Sequence, residues 1–295
     1  MYEEWIDFYR VENETAIKQI IPDTQIFASG SLGSAQIGWA AGETTLYHLD
    51  NGSWGEFEPQ PPVAAGAEPA LSIAPQRFAD GTGYALSGRP PSLYFFDGES
   101  WGAPLASFDI GTMLQCRAKN SCLLFNDNSD TMTFFDGSTA TVVNDFPPGE
   151  DELISAILSG PETAYAVWGT WEGDDMNLTL YRYENATWIR DERFEQYAFR
   201  SAVLDRINDD FVTLNCDAWS DDPKTLVLGK DGEIIDPDWP RLFSIAFAPG
   251  GGGIAKETTE DVVYLIKGTE LIPLYSFATI TGAWPTNFLV AADAE

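Results

Sequence analysis

A short hairpin signature occurs seven times along the chain. Each copy joins an aromatic or aliphatic pair to further strand formers and a turn, and three copies end on Trp54, Trp101 and Trp188. The copies occupy 8–13, 46–54, 93–101, 132–137, 180–188, 226–232 and 263–268, so successive starts lie 38, 47, 39, 48, 46 and 37 residues apart. A strand-rich repeat with a period near 40–45 residues is the mark of a β-propeller blade. Turn chemistry (Asp-Asn-Gly, Asp-Gly, Glu-Asn) recurs at one offset, where tight hairpin loops favour Asn and Gly for positive φ.

Two further strands precede each hairpin. The nearer is a small or polar residue followed by an apolar anchor, as in Gly38-Trp39, Gly83-Tyr84 and Ala164-Tyr165. Upstream lies another apolar stretch, at 25–28, 70–73, 112–115, 154–157, 202–204, 243–246 and 276–279. Four strands per repeat is the count a blade needs. The N-terminus starts on a hairpin and the C-terminus supplies only two strands. The pattern therefore predicts an all-β, seven-bladed propeller of four antiparallel strands per blade, in one domain over 1–295. A composite blade of 1–22 plus 274–295 closes the ring, and the other blades run 23–60, 61–108, 109–148, 149–194, 195–239 and 240–273. Closure removes exposed strand edges.

Composition narrows the partners. Sixteen basic against 46 acidic residues give a formal net charge of −30. Phosphate backbones need Lys and Arg to displace their counterions, so nucleic acid is excluded as a partner. An anionic membrane surface is disfavoured on the same ground, and no run of 18 apolar residues exists to insert into one. Cations, neutral polar ligands and basic proteins stay open. The acidity also suits plain solubility or a saline habitat. No signal peptide is visible at Met1-Tyr2-Glu3-Glu4-Trp5. Cys116 and Cys122 flank a turn at 117–121, a spacing that suits a cross-strand disulfide in an oxidising compartment and suits zinc poorly. Cys216 is left over.

Gly38-Trp39-Ala40-Ala41-Gly42 leading to Leu46-Tyr47-His48-Leu49-Asp50-Asn51-Gly52-Ser53-Trp54 resembles a degenerate bacterial propeller repeat. That repeat reads tryptophan-alanine-valine-glycine, then isoleucine-x-histidine-tyrosine-aspartate-glycine-x-x-tryptophan. Tyr165-Ala166-Val167-Trp168-Gly169 followed by Leu180-Tyr181-Arg182-Tyr183 is the next copy. The resemblance spans the chain and implies an extracellular, periplasmic or cell-surface protein. The chain lacks the dipeptides of WD40 repeats, the paired glycines of kelch repeats and the aspartate box of sialidase-like propellers.

His48 is the one histidine and fills a routine strand slot, which weighs against chemistry based on paired histidines. The sharper signal is where the repeats differ in length. From the anchor of the second strand to the hairpin, 84–93, 123–132 and 254–263 each span nine residues, whereas 165–180 and 211–226 span fifteen. Both insertions carry a Trp followed by two Asp: Trp171 with Asp174 and Asp175, and Trp219 with Asp221 and Asp222. Asp127 and Asp130 fall in the corresponding link of the preceding repeat. Loops on a rigid scaffold concentrate recognition. A Trp face beside carboxylates suits a sugar ring or a basic protein patch, and the acidic residues, Asp127 and Asp130 included, also suit Ca²⁺. A flat solvated loop is the plain alternative, and a glycosidase would need two carboxylates flanking one bond. Four glycosylation triplets begin at Asn13, Asn51, Asn177 and Asn185. Three of them sit at hairpin turns, where backbone geometry explains the Asn.

The sequence thus points to a non-enzymatic binding module, monomeric and without a required cofactor, whose partner is a protein or a carbohydrate. A lectin-like protein using Trp171 and Trp219 is the second reading. A hydrolase or lyase with carboxylate acid/base groups is the third.

Overall fold

The computed structural model describes residues 8–12, 15–19, 30–34, 37–51, 53–71, 75–126, 128–143, 147, 152–172, 175–192, 202–206, 211–216, 224–229, 233–235, 239–240, 242–247, 252–257, 262–267 and 270–273. Those residues form antiparallel sheets that follow one another along the chain. The first is a pair, β1 (Phe8–Glu12) with β2 (Thr15–Gln19). Next come β3 (Gly30–Ser34), β4 (Ile37–Ala41), β5 (Leu46–Asp50) and β6 (Ser53–Glu56). The third sheet has β7 (Glu68–Leu71), β8 (Gln76–Arg77), β9 (Gly83–Arg89), β10 (Ser92–Phe96) and β11 (Ala106–Ser107). The fourth has β12 (Met113–Ala118), β13 (Ser121–Asn126), β14 (Thr131–Phe135) and β15 (Ala140–Val143). The fifth has β16 (Glu152–Gly160), β17 (Thr163–Glu172), β18 (Asp175–Glu184) and β19 (Thr187–Arg190). The last two are β20 (Ala202–Arg206), β21 (Phe211–Cys216), β22 (Lys224–Gly229), β23 (Ile234–Ile235), and β24 (Leu242–Phe247), β25 (Gly252–Glu257), β26 (Val263–Lys267), β27 (Glu270–Pro273).

Five of these sheets are four-stranded in chain order, each strand paired with its sequence neighbour. In the third sheet the first strand is split. β7 and β8 both pair β9, and the expected strand at 70–73 runs into residues outside the described set. The stretch at 25–28 and the closing stretch at 276–279 also lie outside it. Of the expected composite blade, only β1 and β2 lie among the described residues.

Burial explains the strand order. β13 is buried at all six positions, whereas β15 is exposed at three of four. Middle strands are covered on both faces by neighbouring sheets, so they read as continuous apolar runs, and the outermost strand faces water. Along β17 the side chains alternate between two cores, as period-2 geometry requires. Ala164, Ala166 and Trp168 pack toward Leu123, Phe125, Met132 and Phe134 of the fourth sheet. Tyr165 and Val167 pack toward Leu204, Val212, Leu214 and Leu226 of the sixth. Each of the larger aliphatic and Phe side chains among them contributes about 1.5–3 kcal/mol through burial.

Consecutive first strands lie side by side and are fastened by side chains. The Gln76 amide donates from Nε2 to Leu114 O (3.4 Å) and accepts from Cys116 N (3.3 Å), standing in for a strand residue. Gln115 Nε2 donates to Ala156 O (3.3 Å), Arg117 Nη1 donates to Ser159 O, and Leu204 N donates to Ser155 Oγ (3.2 Å).

The small residue before each anchor has a steric cause at Gly83. A Cβ there would lie 2.5 Å from Trp39 Cζ3 and 2.8 Å from its Cη2, and would strike the Gln76 carbonyl. The recurring turns divide into two chemistries. Asn51, Asn185 and Ala186 take positive φ themselves. At Asp97-Gly98 and Asp136-Gly137 the glycine takes it (φ 109° and 94°). There the carboxylate accepts the N–H groups two and three residues on, at 2.7–2.8 Å. These bonds hold both carboxyls below the usual aspartate pKa. Cys116 and Cys122 sit directly opposite each other across β12 and β13 and are joined as a disulfide.

Candidate functional site

Because strands alternate in direction, the links between second and third strands emerge on the same side as the links from one sheet to the next. This upper side carries a line of hydrogen bonds that crosses the boundary between the fourth and fifth sheets. It begins at Ile110, in the link entering β12, whose side chain is 61% exposed. Its carbonyl accepts from Nδ2 of Asn126 (2.9 Å), the fully buried polar residue that ends β13. Asn126 Nδ2 also reaches Thr112 Oγ1 (3.3 Å), and its Oδ1 accepts from Asn128 N (2.9 Å). Gly111 (φ 96°) makes the approach feasible, since a Cβ there would lie 3.1 Å from Asn128 Nδ2.

The line continues through Asp130. Its backbone is left-handed (φ 50°), which Asp tolerates better than most residues. Its Oδ1 accepts from Leu153 N at 2.7 Å, tying the β13–β14 link to the start of β16. The adjacent Glu152 accepts from Trp171 Nε1 at 3.3 Å, and the Trp171 side chain is 49% exposed. Two large side chains therefore stand out of this face, the Ile110 backbone held by the buried Asn126 amide and the Trp171 indole by the half-buried Glu152 carboxylate.

Of the residues singled out from sequence, Trp171 and Asp130 belong to this line. Asp130 serves there as a backbone clamp. Among the described residues no three His, Cys, Asp or Glu side chains gather as a metal site. The insertion at 165–180 differs from the expected loop. Trp168, Thr170, Trp171, Met176, Leu178 and Thr179 are strand formers, so the β17–β18 ladder runs on to Trp171↔Met176 and Glu172↔Asp175. Asp175 is thus a strand residue, and Asp174 lies outside the described residues. So do Trp219, Asp221, Asp222 and Asp127. Ile110, Asn126 and Glu152 were missed. Their signals are an isolated Ile between Asp109 and Gly111, and a polar residue closing the apolar run 122–125.

The packing between the second and third sheets has a different character. The Arg77 guanidinium lies 4.7 Å from the Trp39 ring centroid and 5.5 Å from those of Phe57 and Phe96. Trp101 completes this aromatic group and donates from Nε1 to Pro59 O at 2.7 Å. Desolvation lowers the pKa of Arg77, opposed by Asp80 and Asp50. His48 packs edge-on to Phe57, and burial lowers its pKa, with Asp50 opposing and Arg77 assisting. Asp80 is held down to about 2 by hydrogen bonds from Lys119 and Thr82. Both the histidine and the arginine are accounted for by packing in this cluster.

No family model matches the chain, and no curated protein matches it. Solved structures do resemble it, and they are β-propeller proteins. "YCF48 bound to D1 peptide" is 13% identical, with a TM-score of 0.56, covering 95% of this chain and 86% of that one. A GH74 xyloglucanase from Xanthomonas campestris is 11% identical with a TM-score of 0.55, over 89% of this chain and 49% of the enzyme. The extracellular domain assigned to a one component system of B. thetaiotaomicron is 12% identical with a TM-score of 0.54, over 86% of this chain and 34% of that one. At such identities the likeness concerns the fold: all-β and propeller-like.

Proposed function

We propose that this chain is a binding module that recognises a protein or peptide segment on its upper face and performs no catalysis. The observation that carries the reading is the line from Ile110 through Asn126, Asp130 and Glu152 to Trp171. It spends the buried Asn126 amide and two half-buried carboxylates on a face where two large side chains stand in water and packing gains nothing. Supporting it, one of the similar propellers carries a bound peptide. In the same reading the molecule is a single seven-bladed ring over 1–295, closed by a composite blade of 1–22 and 274–295, and it acts as a monomer. The Cys116–Cys122 disulfide supports residence outside the cytoplasm, at the cell surface or in the periplasm, where such bonds persist.

Selection from a random peptide display library tests the binding reading. Peptides that bind the wild type should lose about tenfold in affinity or more on Ile110→Ser or Trp171→Ala, the scale of a central interface anchor. Ile189→Ser, on the outermost strand β19, should leave binding unchanged. Equal loss at Ile189, or no loss at the two upper-face positions, refutes the reading. Carbohydrate is the second reading, favoured by the half-exposed Trp171 indole, with Asp174 and Asp175 as its neighbours in sequence and Trp219, Asp221 and Asp222 in the matching insertion of the next repeat. Glycan-array binding abolished by Trp171→Ala or Trp219→Ala would select it.

A further inference from the structure

We infer that a cavity on the outer part of the fifth sheet binds a free α-amino acid with an apolar side chain. The site stands apart from the upper-face line and goes beyond the peptide reading above. Its volume is about 260 Å³, and its lining is Arg182, Ile189, Arg190, Asp191 and Glu192. That set holds the counterpart of each group of a zwitterion: guanidinium for the carboxylate, carboxylate for the ammonium, and an aliphatic surface for the side chain.

Strand pairing brings these residues together. Arg182 of β18 lies directly opposite Ile189 of β19, so the two share one face of the sheet. Tyr165 of β17 pairs with Arg182 on its other side and packs toward the sixth sheet, which puts Arg182 and Ile189 on the flank facing that sheet. Asp191 N donates to Leu180 O at 2.9 Å. That bond carries the β19 pairing one residue past Arg190 and fixes the backbone that presents Asp191 and Glu192.

The observation that points to a ligand is on Arg182. Its Nη2 donates to Glu184 Oε1 at 3.1 Å, so one arm of the guanidinium is engaged. Its Nε–H is buried and finds no acceptor among the described residues. A buried donor on a charged group is costly to leave unpaired, and an incoming carboxylate oxygen supplies a charge-assisted bond. Ile189, 39% exposed, presents apolar surface on the same face. Glu192 is exposed and supplies the countercharge for an ammonium. The chain's net charge of −30 repels a simple anion, and a simple cation leaves the Arg182 donor unmet. A zwitterion has neither fault. A volume of about 260 Å³ lies below the roughly 300–1,000 Å³ of pockets for drug-sized ligands, which suits a molecule as small as one amino acid.

The test uses the full chain with ¹³C-labelled isoleucine methyl groups, the Ile189 δ1 signal being assigned by its loss in Ile189→Val. L-Leucine should shift that signal saturably. N-acetyl-L-leucine, which lacks the ammonium, and L-leucinamide, which lacks the carboxylate, should each bind about tenfold more weakly. Arg182→Lys keeps the charge but removes the Nε–H, and should weaken leucine about tenfold. Glu192→Gln, at an exposed position, should weaken it about fivefold. Glu162→Gln, an equal charge change in the exposed β16–β17 turn, should leave leucine binding unchanged. Four outcomes overturn the inference: no saturable shift with leucine, which assigns the Nε–H to water; equal affinity for either capped form; unchanged binding in Arg182→Lys or in Glu192→Gln; or equal weakening by Glu162→Gln.

Discussion

Replacing Gly83 by alanine tests the packing between the second and third sheets. The new Cβ would sit 2.5 Å from Trp39 Cζ3 and would also meet the Gln76 carbonyl. Carbon atoms rest about 3.5–4.0 Å apart, so the indole must retreat by about 1 Å, and β8 must give way with it. That movement has three costs. Overpacking of a buried site costs about 1–3 kcal/mol. The Gln76 amide, bonded to Leu114 and Cys116 at 3.4 and 3.3 Å, loses two bonds of roughly 1 kcal/mol each. Arg77 slides off a ring it faces at 4.7 Å, a loss of about 1 kcal/mol. Allowing for partial relaxation, about 4 kcal/mol is expected. With roughly 2.1 cal/mol/K of unfolding entropy per residue, a chain of this length should melt about 6 °C lower. Gly102→Ala is the control, because its Cβ would lie 3.6 Å from the Phe95 carbonyl oxygen, an ordinary contact. Differential scanning fluorimetry of both variants decides. A Gly83→Ala shift below about 2 °C, or one matched by Gly102→Ala, refutes the reasoning.

Three further outcomes are expected. Removing the disulfide by Cys116→Ser with Cys122→Ser opens a loop of sequence separation 6; it should cost about 2 kcal/mol by loop entropy, read as a urea midpoint lowered to the same extent as by reduction of the wild type. Asp130→Ala removes the acceptor of Leu153 N and strains a left-handed residue, so it should cost about 1–2 kcal/mol, while Asp130→Asn keeps both features and should cost less than half as much in the same melts. His48 has a lowered pKa in the fold, so as pH falls below about 6.5 the unfolded chain takes up its proton first and stability falls. It is the one histidine, so the loss of stability between about pH 7 and 5.5 in urea denaturation should flatten in His48→Gln.

The strand succession was legible because each repeat writes its own pattern: small residue, apolar anchor, hairpin, turn. Asp97 and Asp136 carry their turn chemistry in adjacent residues, and the Cys116–Cys122 separation implies the opposing strands. The site was less legible because its connections are distant in sequence. Nothing at Asp130 announces that it will cap Leu153, 23 residues on, or at Gln76 that its amide will pair with β12. The insertion at 165–180 is visible in the repeat length, but its form is a longer ladder rather than a loop. Alternating Trp168, Thr170, Met176 and Leu178 carried strand pairing past the expected exit, and the acidic residues drew attention from that alternation. Glu152 was overlooked because a lone Glu at a strand start is common.

The fastening of adjacent first strands by side chains has a consequence for how the molecule breathes. The seams between layers are contacts separate from the ladders on either side, as in a quasi-one-dimensional array whose stability sums unit and nearest-neighbour terms. The β8–β12 seam is held by both ends of one glutamine amide. At β16–β20, by contrast, the bond from Leu204 to Ser155 stands beside an apolar interface. Local opening free energies should therefore differ from seam to seam, and a single side-chain change can loosen one layer boundary while every strand keeps its partner.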